Sequence, residues 1–250
     1  MSSLPAPLLL ALIVGLAFTI ESAMGFGATI VTVSLGSLVL STSEILPAFV
    51  PLNLVLSGYL LARGRRFVEG RLLLREVLPA MALGMPVGIL AFRLLDEAAL
   101  RLVLGVFVLV VSTLELGSKA GARPLGSPVA FGLLGLGGVV HGAFGAGGPL
   151  VVYVLGRKLS HDKAAFRATL SALWLVLNLA LVASYAQAGQ LSLSTGLVTL
   201  SLAVPLGVGL GLGELIHRAV PAHRFRPLVF GLLLVVGLVL VARSAPSLLS

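Results

Sequence analysis

The amino-acid sequence predicts an all-α protein with several membrane-spanning helices. Hydrophobic residues make up 58% of the 250 residues and charged residues only 10%, with a mean hydropathy of +1.13. A soluble domain has about one quarter charged residues. Apolar runs of about 20 residues, the length that crosses a hydrocarbon core of about 30 Å, recur along the chain. The net charge of +8 comes from basic residues between these runs, which fits membrane topology better than nucleic-acid binding.

Six uninterrupted apolar runs predict full spans at 46–62, 72–92, 98–116, 166–186, 191–211 and 227–242. Two further segments, 4–40 and 127–156, are apolar but interrupted at "ESAMGFGA" and "HGAFGAGG". A straight helix over 4–40 would be about 55 Å long, well beyond the bilayer core. The first segment is therefore predicted to fold back as a hairpin. The second segment is shorter, and a single interrupted span is its alternative.

The distribution of Lys and Arg favours hairpins in both interrupted segments. If each crossed the membrane once, the loops would place nine basic residues on one face and eight on the other. If each returns to the face it entered from, one face collects fourteen, and the other keeps Arg93, Arg101 and Arg243. Basic residues concentrate on the cytoplasmic side of membranes. The fourteen-residue face is therefore predicted to be cytoplasmic, with both termini on the opposite side.

Each half then contains one hairpin and three spans, so tandem halves would lie in the membrane with opposite orientation. "SAMGFGA" (22–28) aligns with "GAFGAGG" (142–148) at an offset of 120 residues. "PVGI" (86–89) aligns with "PLGV" (205–208) at 119, and "LNLVLS" (52–57) with "LWLVLN" (173–178) at 121. Three matches in order at nearly one offset predict two inverted repeats, 1–120 and 121–250.

The two glycine-rich interruptions are candidate parts of a binding site. Irregular backbone at membrane depth needs protein or a water-filled cavity to satisfy its polar groups, and paired midplane breaks in inverted repeats are typical of transporters. The glycines are expected to adopt positive φ and leave amides for an anion, with a proline in the first helical turn. Close helix packing is the alternative role. The candidate substrate-binding residues here are Gly25, Phe26, Gly27, Gly145, Gly147, Gly148 and Pro149.

Four polar residues complete the candidate site. Glu21 lies about 17 residues into the first arm, where an ionised carboxylate costs at least ~2.5–3.5 kcal/mol. Burial favours its protonated form, so Glu21 is the candidate for proton coupling; capping of the second arm is the alternative. His141, its counterpart at offset 120, is a candidate anion ligand or a satisfied structural histidine. Asn53 and Asn178 are candidate substrate ligands, or interhelical links worth ~0.6–2 kcal/mol.

Five further residues have simpler interpretations. Arg167 is expected to anchor its span at the cytoplasmic face, with anion steering as the alternative. Trp174, the only tryptophan, is expected in the core, with the cavity wall as the alternative. His161, His217 and His223 lie in basic loops and are expected to be solvated.

Other function classes lack their sequence signatures. There is no HExxH, GxSxG or paired-Asp motif for a hydrolase and no GxxxxGK[ST] loop for ATP-driven transport. The chain has no cysteine, so disulfides and thiolate metal sites are excluded, and no metal or cofactor is predicted. The opening "MSSLPAPLLLALIVG" has no Lys or Arg, which disfavours a cleaved signal peptide.

Three stretches resemble a known family: "GFGATIVTVSLGSLV", "GGVVHGAFGAGGPLVVYVL" and "FRATLSALWLVLNLALVASYAQAG". They are similar to the TauE/SafE sulfite-exporter-like membrane proteins, also called toluenesulfonate uptake permeases, and the resemblance covers nearly the whole chain. It implies a secondary transporter of small anions, notably sulfite, sulfonates or other organic acids, in bacterial inner membranes. Many relatives carry a Gly-Gly-Gly run where this chain has "GFGA".

The predicted function is secondary active transport of a small anion, coupled to protons through Glu21, with a passive anion channel as the alternative. The expected partners are the anion, protons and the lipid bilayer, without nucleic acid, and a homodimer is left open. The expected location is the inner membrane.

Overall fold

The computed structural model describes residues 6–117, 125–159, 162–219 and 222–244, which contain helices and no strand. The helices of these residues are α1 (Ala6–Met24), α2 (Ala28–Gly36), α3 (Thr42–Gly64), α4 (Gly70–Leu94), α5 (Glu97–Leu116), α6 (Ser127–Phe144), α7 (Gly148–Lys158), α8 (Lys163–Gln187), α9 (Leu193–Ala219) and α10 (Ala222–Ser244). A π-helical turn lies near the start of α4, and α9 bends at Leu202. The predicted all-α membrane class is confirmed.

Seven of the described helices are long and apolar enough to cross a membrane: α3, α4, α5, α6, α8, α9 and α10. Six correspond to the six predicted spans, and the seventh is the first arm of the second interrupted segment. Helix α9 continues beyond the predicted end of the fifth span, at 211, to Ala219. Glu214 stabilises this polar extension, since it pairs with Arg167 of α8 and with Arg218 one turn later.

Both interrupted segments fold as a long helix followed by a short one that packs back against it. The short helices, α2 with 9 residues and α7 with 11, are about 14 and 17 Å long. Neither is long enough to cross a core of about 30 Å. The predicted fold-back is therefore present in each segment.

Side-chain caps fix where several helices begin. Ser41 and Glu44 form a reciprocal capping box at the start of α3. Asp96 accepts a hydrogen bond from Ala99 N (2.8 Å) at the start of α5. Such caps satisfy amides that have no partner within the helix. They therefore set the start of each span at a defined residue.

Helices α4 and α6 pack so closely that the contact requires glycine. A Cβ atom on Gly84 would overlap the backbone oxygen of Gly135, and one on Gly88 would overlap that of Val139. Small residues let helix backbones approach in this way in membranes. Because the contacting residue numbers increase together, α4 and α6 run in the same direction.

The contact between α1 and α9 repeats that arrangement. A Cβ atom on Gly209 would lie 2.7 Å from Gly15 O, and one on Gly213 would lie 2.5 Å from Thr19 O. Gly15 and Thr19 thus correspond to Gly135 and Val139 at an offset of 120, and Gly209 and Gly213 correspond to Gly84 and Gly88 at 125. This packing supports the two predicted repeats. Their opposite orientation in the membrane, their boundary near residue 120 and the position of the termini stay predictions.

Helices α3 and α8 form the centre of the molecule. They pack against each other, and 61% of the apolar window of each is buried, against 17% for α9. Polar side chains in the middle of α3 and α8 are therefore held inside the protein rather than in lipid.

Candidate functional site

The two hairpin turns have the same hydrogen bond at the end of their first arm. Gly25 N donates to Glu21 O (2.6 Å), and Gly145 N donates to His141 O (2.7 Å). Each bond closes the last turn of the long helix, after which a few residues lead into the short one. Glu21 and His141 therefore occupy equivalent positions, one on each hairpin.

Three of the predicted glycines adopt the left-handed backbone that the sequence suggested. Gly25 has φ of +86°, Gly27 of +111° and Gly145 of +62°. Residues with a Cβ atom rarely adopt this region. Glycine at these positions lets each chain reverse within a few residues.

The predicted positive φ is wrong for Gly147 and Gly148. Gly147 has φ of −65°, and Gly148 begins α7. Gly147 is required for space, since a Cβ atom there would overlap the backbone oxygen of Gly137 and lie 2.9 Å from His141 Cβ. A Cβ atom on Gly148 would make only ordinary contact, 3.5 Å from the ring of Phe26. Pro149 lies in the first turn of α7, as predicted, where its missing N–H costs nothing.

A buried cavity of about 20 Å³ lies between the two turns, enough for about one water molecule. The predicted residues that line it are Glu21, Gly27, Asn53, His141, Gly145, Gly148, Pro149 and Asn178. Gly25, Phe26 and Gly147 do not. Phe26 instead stacks on Phe230 of α10, with ring centroids 6.3 Å apart.

Glu21 both caps α2 and lines the cavity. Its carboxylate Oε2 accepts hydrogen bonds from Ala28 N (2.8 Å) and from Asn53 Nδ2 (3.2 Å), and the residue is 3% exposed. A carboxylate at a helix N-terminus is stabilised by the helix dipole and by the free amides there. The capping role considered from the sequence is therefore real, and the same side chain faces the cavity.

The two asparagines join the halves of the chain at the centre of the molecule. Asn178 Nδ2 donates to Asn53 Oδ1 (3.1 Å), which also accepts from Ser57 Oγ (3.2 Å). Asn53 Nδ2 donates to Thr29 Oγ1 (3.1 Å) in addition to Glu21. One side chain on α3 thus links the first hairpin to α8.

His141 lies flat against Trp174. Their ring centroids are 5.5 Å apart with planes at 15°, and Trp174 Nε1 donates to Gly25 O (3.0 Å). Neither ring nitrogen of His141 makes a hydrogen bond of ordinary geometry to another described residue, although the Asn178 amide lies beside it. Asn178 Oδ1 likewise has no partner among these residues. Buried polar atoms are nearly always satisfied, so these atoms suit a bound polar molecule.

Arg167 lies outside the cavity, close to the first hairpin. Its guanidinium forms an ion pair with Glu214 (2.9 Å), and a Cβ atom on Gly25 would lie 3.2 Å from Arg167 Cγ. The side chain is therefore in contact with the turn rather than a simple anchor at the membrane face.

The expectation of a solvated His217 is wrong. His217 lies near the end of α9, is half-buried, and donates from Nδ1 to Ala23 O (2.7 Å). The sequence did not indicate this contact because the helix extends beyond the apolar run. The side chains of His161 and His223 lie outside the described residues.

Sequence reasoning missed Thr29, Ile30 and Ala146, which also line the cavity, and gave Trp174 there only as an alternative. Thr29 had a signal: it is a hydroxyl residue two positions after Gly27, in the first turn of a helix, where its side chain can face the break. Among the described residues, no group of three or more His, Asp or Glu could hold a metal ion.

Comparison with known proteins identifies the relatives. Residues 9–240 match the family described as "Sulfite exporter TauE/SafE". The probable inner membrane transporter protein TsaS of Comamonas testosteroni is 30% identical over 165 residues, which cover 65% of this chain and 68% of TsaS. No solved structure matches the chain. The family resemblance drawn from the glycine-containing stretches is confirmed, as is the predicted class of a multi-pass membrane transporter rather than an enzyme.

Proposed function

Because the chain belongs to the sulfite exporter TauE/SafE family, we propose that it carries a small anion, such as sulfite, a sulfonate or another organic acid, across a bacterial inner membrane by proton-coupled transport. The observation that carries this proposal is the polar cavity between the hairpin turns. Glu21, Asn53, His141 and Asn178 all line it, and each is at most 3% exposed. Polar groups at such depth in a membrane protein usually mark a transport path.

The second hairpin offers the better place for the anion. At the first hairpin, the N-terminus of α2 already has an anionic partner, since Ala28 N donates to the Glu21 carboxylate. At the second, the equivalent position holds His141, whose ring can donate a hydrogen bond to an anion and gains a positive charge on protonation. The anion therefore binds beside His141 and Asn178, near the N-terminus of α7.

Charge repulsion supplies the coupling. An anion in this cavity lies close to the Glu21 carboxylate, and like charges repel strongly where little water screens them. A proton on Glu21 removes that repulsion. Anion and proton then bind together and cross together, which makes the transporter a symporter.

The small size of the cavity favours a transporter over an open channel. A volume of about 20 Å³ holds about one water molecule, so the hairpin turns must separate before an anion of several atoms can enter. The close pairs α1–α9 and α4–α6 would move as units about the central helices, as in other inverted-repeat transporters.

Uptake into proteoliposomes tests the proposal. Sulfite, a sulfonate and a small carboxylate would each be offered with and without an inward proton gradient, to wild type and to Glu21→Gln. Wild type should accumulate an anion only with the gradient, and Glu21→Gln should lose accumulation while retaining anion exchange. Glu69→Gln, which removes an exposed carboxylate outside the cavity, should behave as wild type.

Other outcomes decide against parts of the proposal. Dissipative flux that is unaffected by Glu21→Gln would indicate the passive channel. Flux of none of the three anions would refute the substrate class.

A further inference from the structure

A second cavity, of about 210 Å³, lies where α3 and α9 end and α8 begins. We name it the vestibule; its polar lining side chains are Arg63, Arg167, Glu214 and His217. None of these four residues lines the small cavity between the hairpin turns. The vestibule lies on the face that the distribution of basic residues predicts to be cytoplasmic.

The Gly25 turn separates the vestibule from the inner cavity. On one side, the backbone of Gly25 packs against Arg167, since a Cβ atom there would lie 3.4 Å from Arg167 Cα. On the other side, Gly25 O accepts a hydrogen bond from Trp174, which lines the inner cavity. Arg167 and Trp174 lie about two turns, or roughly 10 Å, apart along α8. One turn of backbone therefore divides the two cavities.

The charges of the vestibule suit an oxyanion. Arg167 Nη2 lies 2.9 Å from Glu214 Oε2, and Arg218 Nη2 lies 3.5 Å from Glu214 Oε1. Arg63 lines the same space, with its guanidinium donating to the Tyr59 hydroxyl (2.7 Å). Two guanidinium groups, those of Arg63 and Arg167, therefore line the vestibule together with one carboxylate. A guanidinium binds planar pairs of oxygen atoms well, whether they belong to a carboxylate or to a sulfur oxyanion.

Of these groups, Arg167 is expected to attract an anion most strongly. Its side chain is only 16% exposed, so water screens it less than it screens a surface arginine. Glu214, at 30% exposure, is the carboxylate that an incoming anion would replace. Its backbone lies on α9, the helix whose His217 holds Ala23 of the first hairpin.

We propose that the vestibule is a second anion-binding site, in which a small oxyanion replaces Glu214 on Arg167 before it passes the Gly25 turn. The identity of the anion rests on the proposed function, whereas the site itself rests on the cavity and its charges. Its volume of about 210 Å³ admits an anion without rearrangement, unlike the inner cavity.

Equilibrium dialysis of radiolabelled sulfite against the purified full chain tests the site without requiring transport. Wild type should bind two anions per chain. Arg63→Gln should weaken one of the two by about two- to fivefold, the range for an exposed charge. Arg65→Gln removes the same charge from an adjacent exposed residue that does not line the vestibule, and it should bind as wild type does.

Two further variants test whether an anion replaces Glu214 as the partner of Arg167. Glu214→Gln should tighten the vestibule site because the competing carboxylate is gone. The double variant Arg167→Gln/Glu214→Gln removes both charges of the less exposed pair and leaves only the exposed Arg218 without its partner. It should lose one of the two anions. Thermal unfolding of each variant verifies that it remains folded.

A single anion per chain in wild type, bound equally well by Arg63→Gln and by Arg167→Gln/Glu214→Gln, would overturn the proposal. Equal weakening by Arg63→Gln and Arg65→Gln would also overturn it, because the effect would then be general electrostatics. If flux is present in proteoliposomes but only one anion binds and no vestibule variant weakens it, the vestibule fails and the transport function stands. If two anions bind and no anion is carried, the vestibule stands and the transport function fails.

Discussion

The contact between the two hairpin turns predicts a specific cost for Gly145→Ala. Gly145 has φ of +62°, and an alanine there costs about 1–2 kcal/mol in backbone strain. The new Cβ atom would also lie 2.9 Å from Thr29 Cγ2, which adds a crowding cost of about 1–3 kcal/mol. Thr29 cannot easily rotate its methyl group away, because it is β-branched and its hydroxyl accepts from Asn53. The sum is a loss of about 2–5 kcal/mol.

Gly189 is a matched control for the backbone part of this cost. Its φ is +68°, and a Cβ atom there would meet nothing within 4 Å. Gly189→Ala should therefore lose only the strain, about 1–2 kcal/mol. The difference between the two variants isolates the contact between the turns.

Thr29→Ser supplies the rescue. Serine keeps the hydroxyl that accepts from Asn53 and lacks the methyl group that crowds Gly145→Ala. The double variant Gly145→Ala/Thr29→Ser should recover most of the crowding cost. The interaction energy of this double-mutant cycle should be about 1–3 kcal/mol, within the range for residues in contact.

The free energy of unfolding can be measured by reversible denaturation in mixed detergent micelles. Fluorescence of Trp174, the only tryptophan, reports the transition because its ring lies between His141 and the Gly25 turn. Equal losses of unfolding free energy in Gly145→Ala and Gly189→Ala would refute the contact between the two turns. Strictly additive effects of Gly145→Ala and Thr29→Ser would refute it too.

Two further predictions also concern the stability of the fold. Gly88→Ala should lower the free energy of unfolding by about 1–3 kcal/mol because its Cβ atom would overlap the backbone of α6. In Gly132→Ala the new Cβ atom points into open space, so the free energy of unfolding should be unchanged or rise by up to ~1 kcal/mol. Equal effects of the two variants would contradict the close packing of α4 and α6. Trp174→Phe removes the hydrogen bond to Gly25 O and should lower the free energy of unfolding by about 1 kcal/mol. Thermal unfolding followed by circular dichroism measures this change. An unchanged stability would show that this bond does not hold the turn.

The spans and the two breaks could be predicted because one local property determines each. A run of about 20 apolar residues is required to cross a bilayer, and it is visible without knowledge of any neighbour. A glycine pair next to Glu21 inside such a run is equally local. The prediction that both segments fold back also needed only chain length and the distribution of basic residues.

The packing register could not be predicted, because it depends on which helices touch. The match of "PVGI" to "PLGV" aligned Gly88 with Gly207. The contacts instead equate Gly88 with Gly213, since these two glycines face equivalent backbone atoms of α6 and α1. Gly147 was assigned a positive φ for the same reason: sequence cannot separate a glycine needed for its dihedral angle from one needed for space.

The equivalence of the two hairpins has a chemical consequence, because their equivalent positions carry different side chains. Protonation removes a negative charge from Glu21 and adds a positive charge to His141, so a proton on either side chain favours an anion between them. Binding of an anion in this cavity should therefore tighten as the pH falls. In Glu21→Gln only the histidine can contribute, and the pH dependence should weaken. The test uses a sulfonate, which stays ionised over this pH range. A dependence of the opposite sign would then mean that the anion binds outside the cavity, since no proton gained by Glu21 or His141 could oppose it.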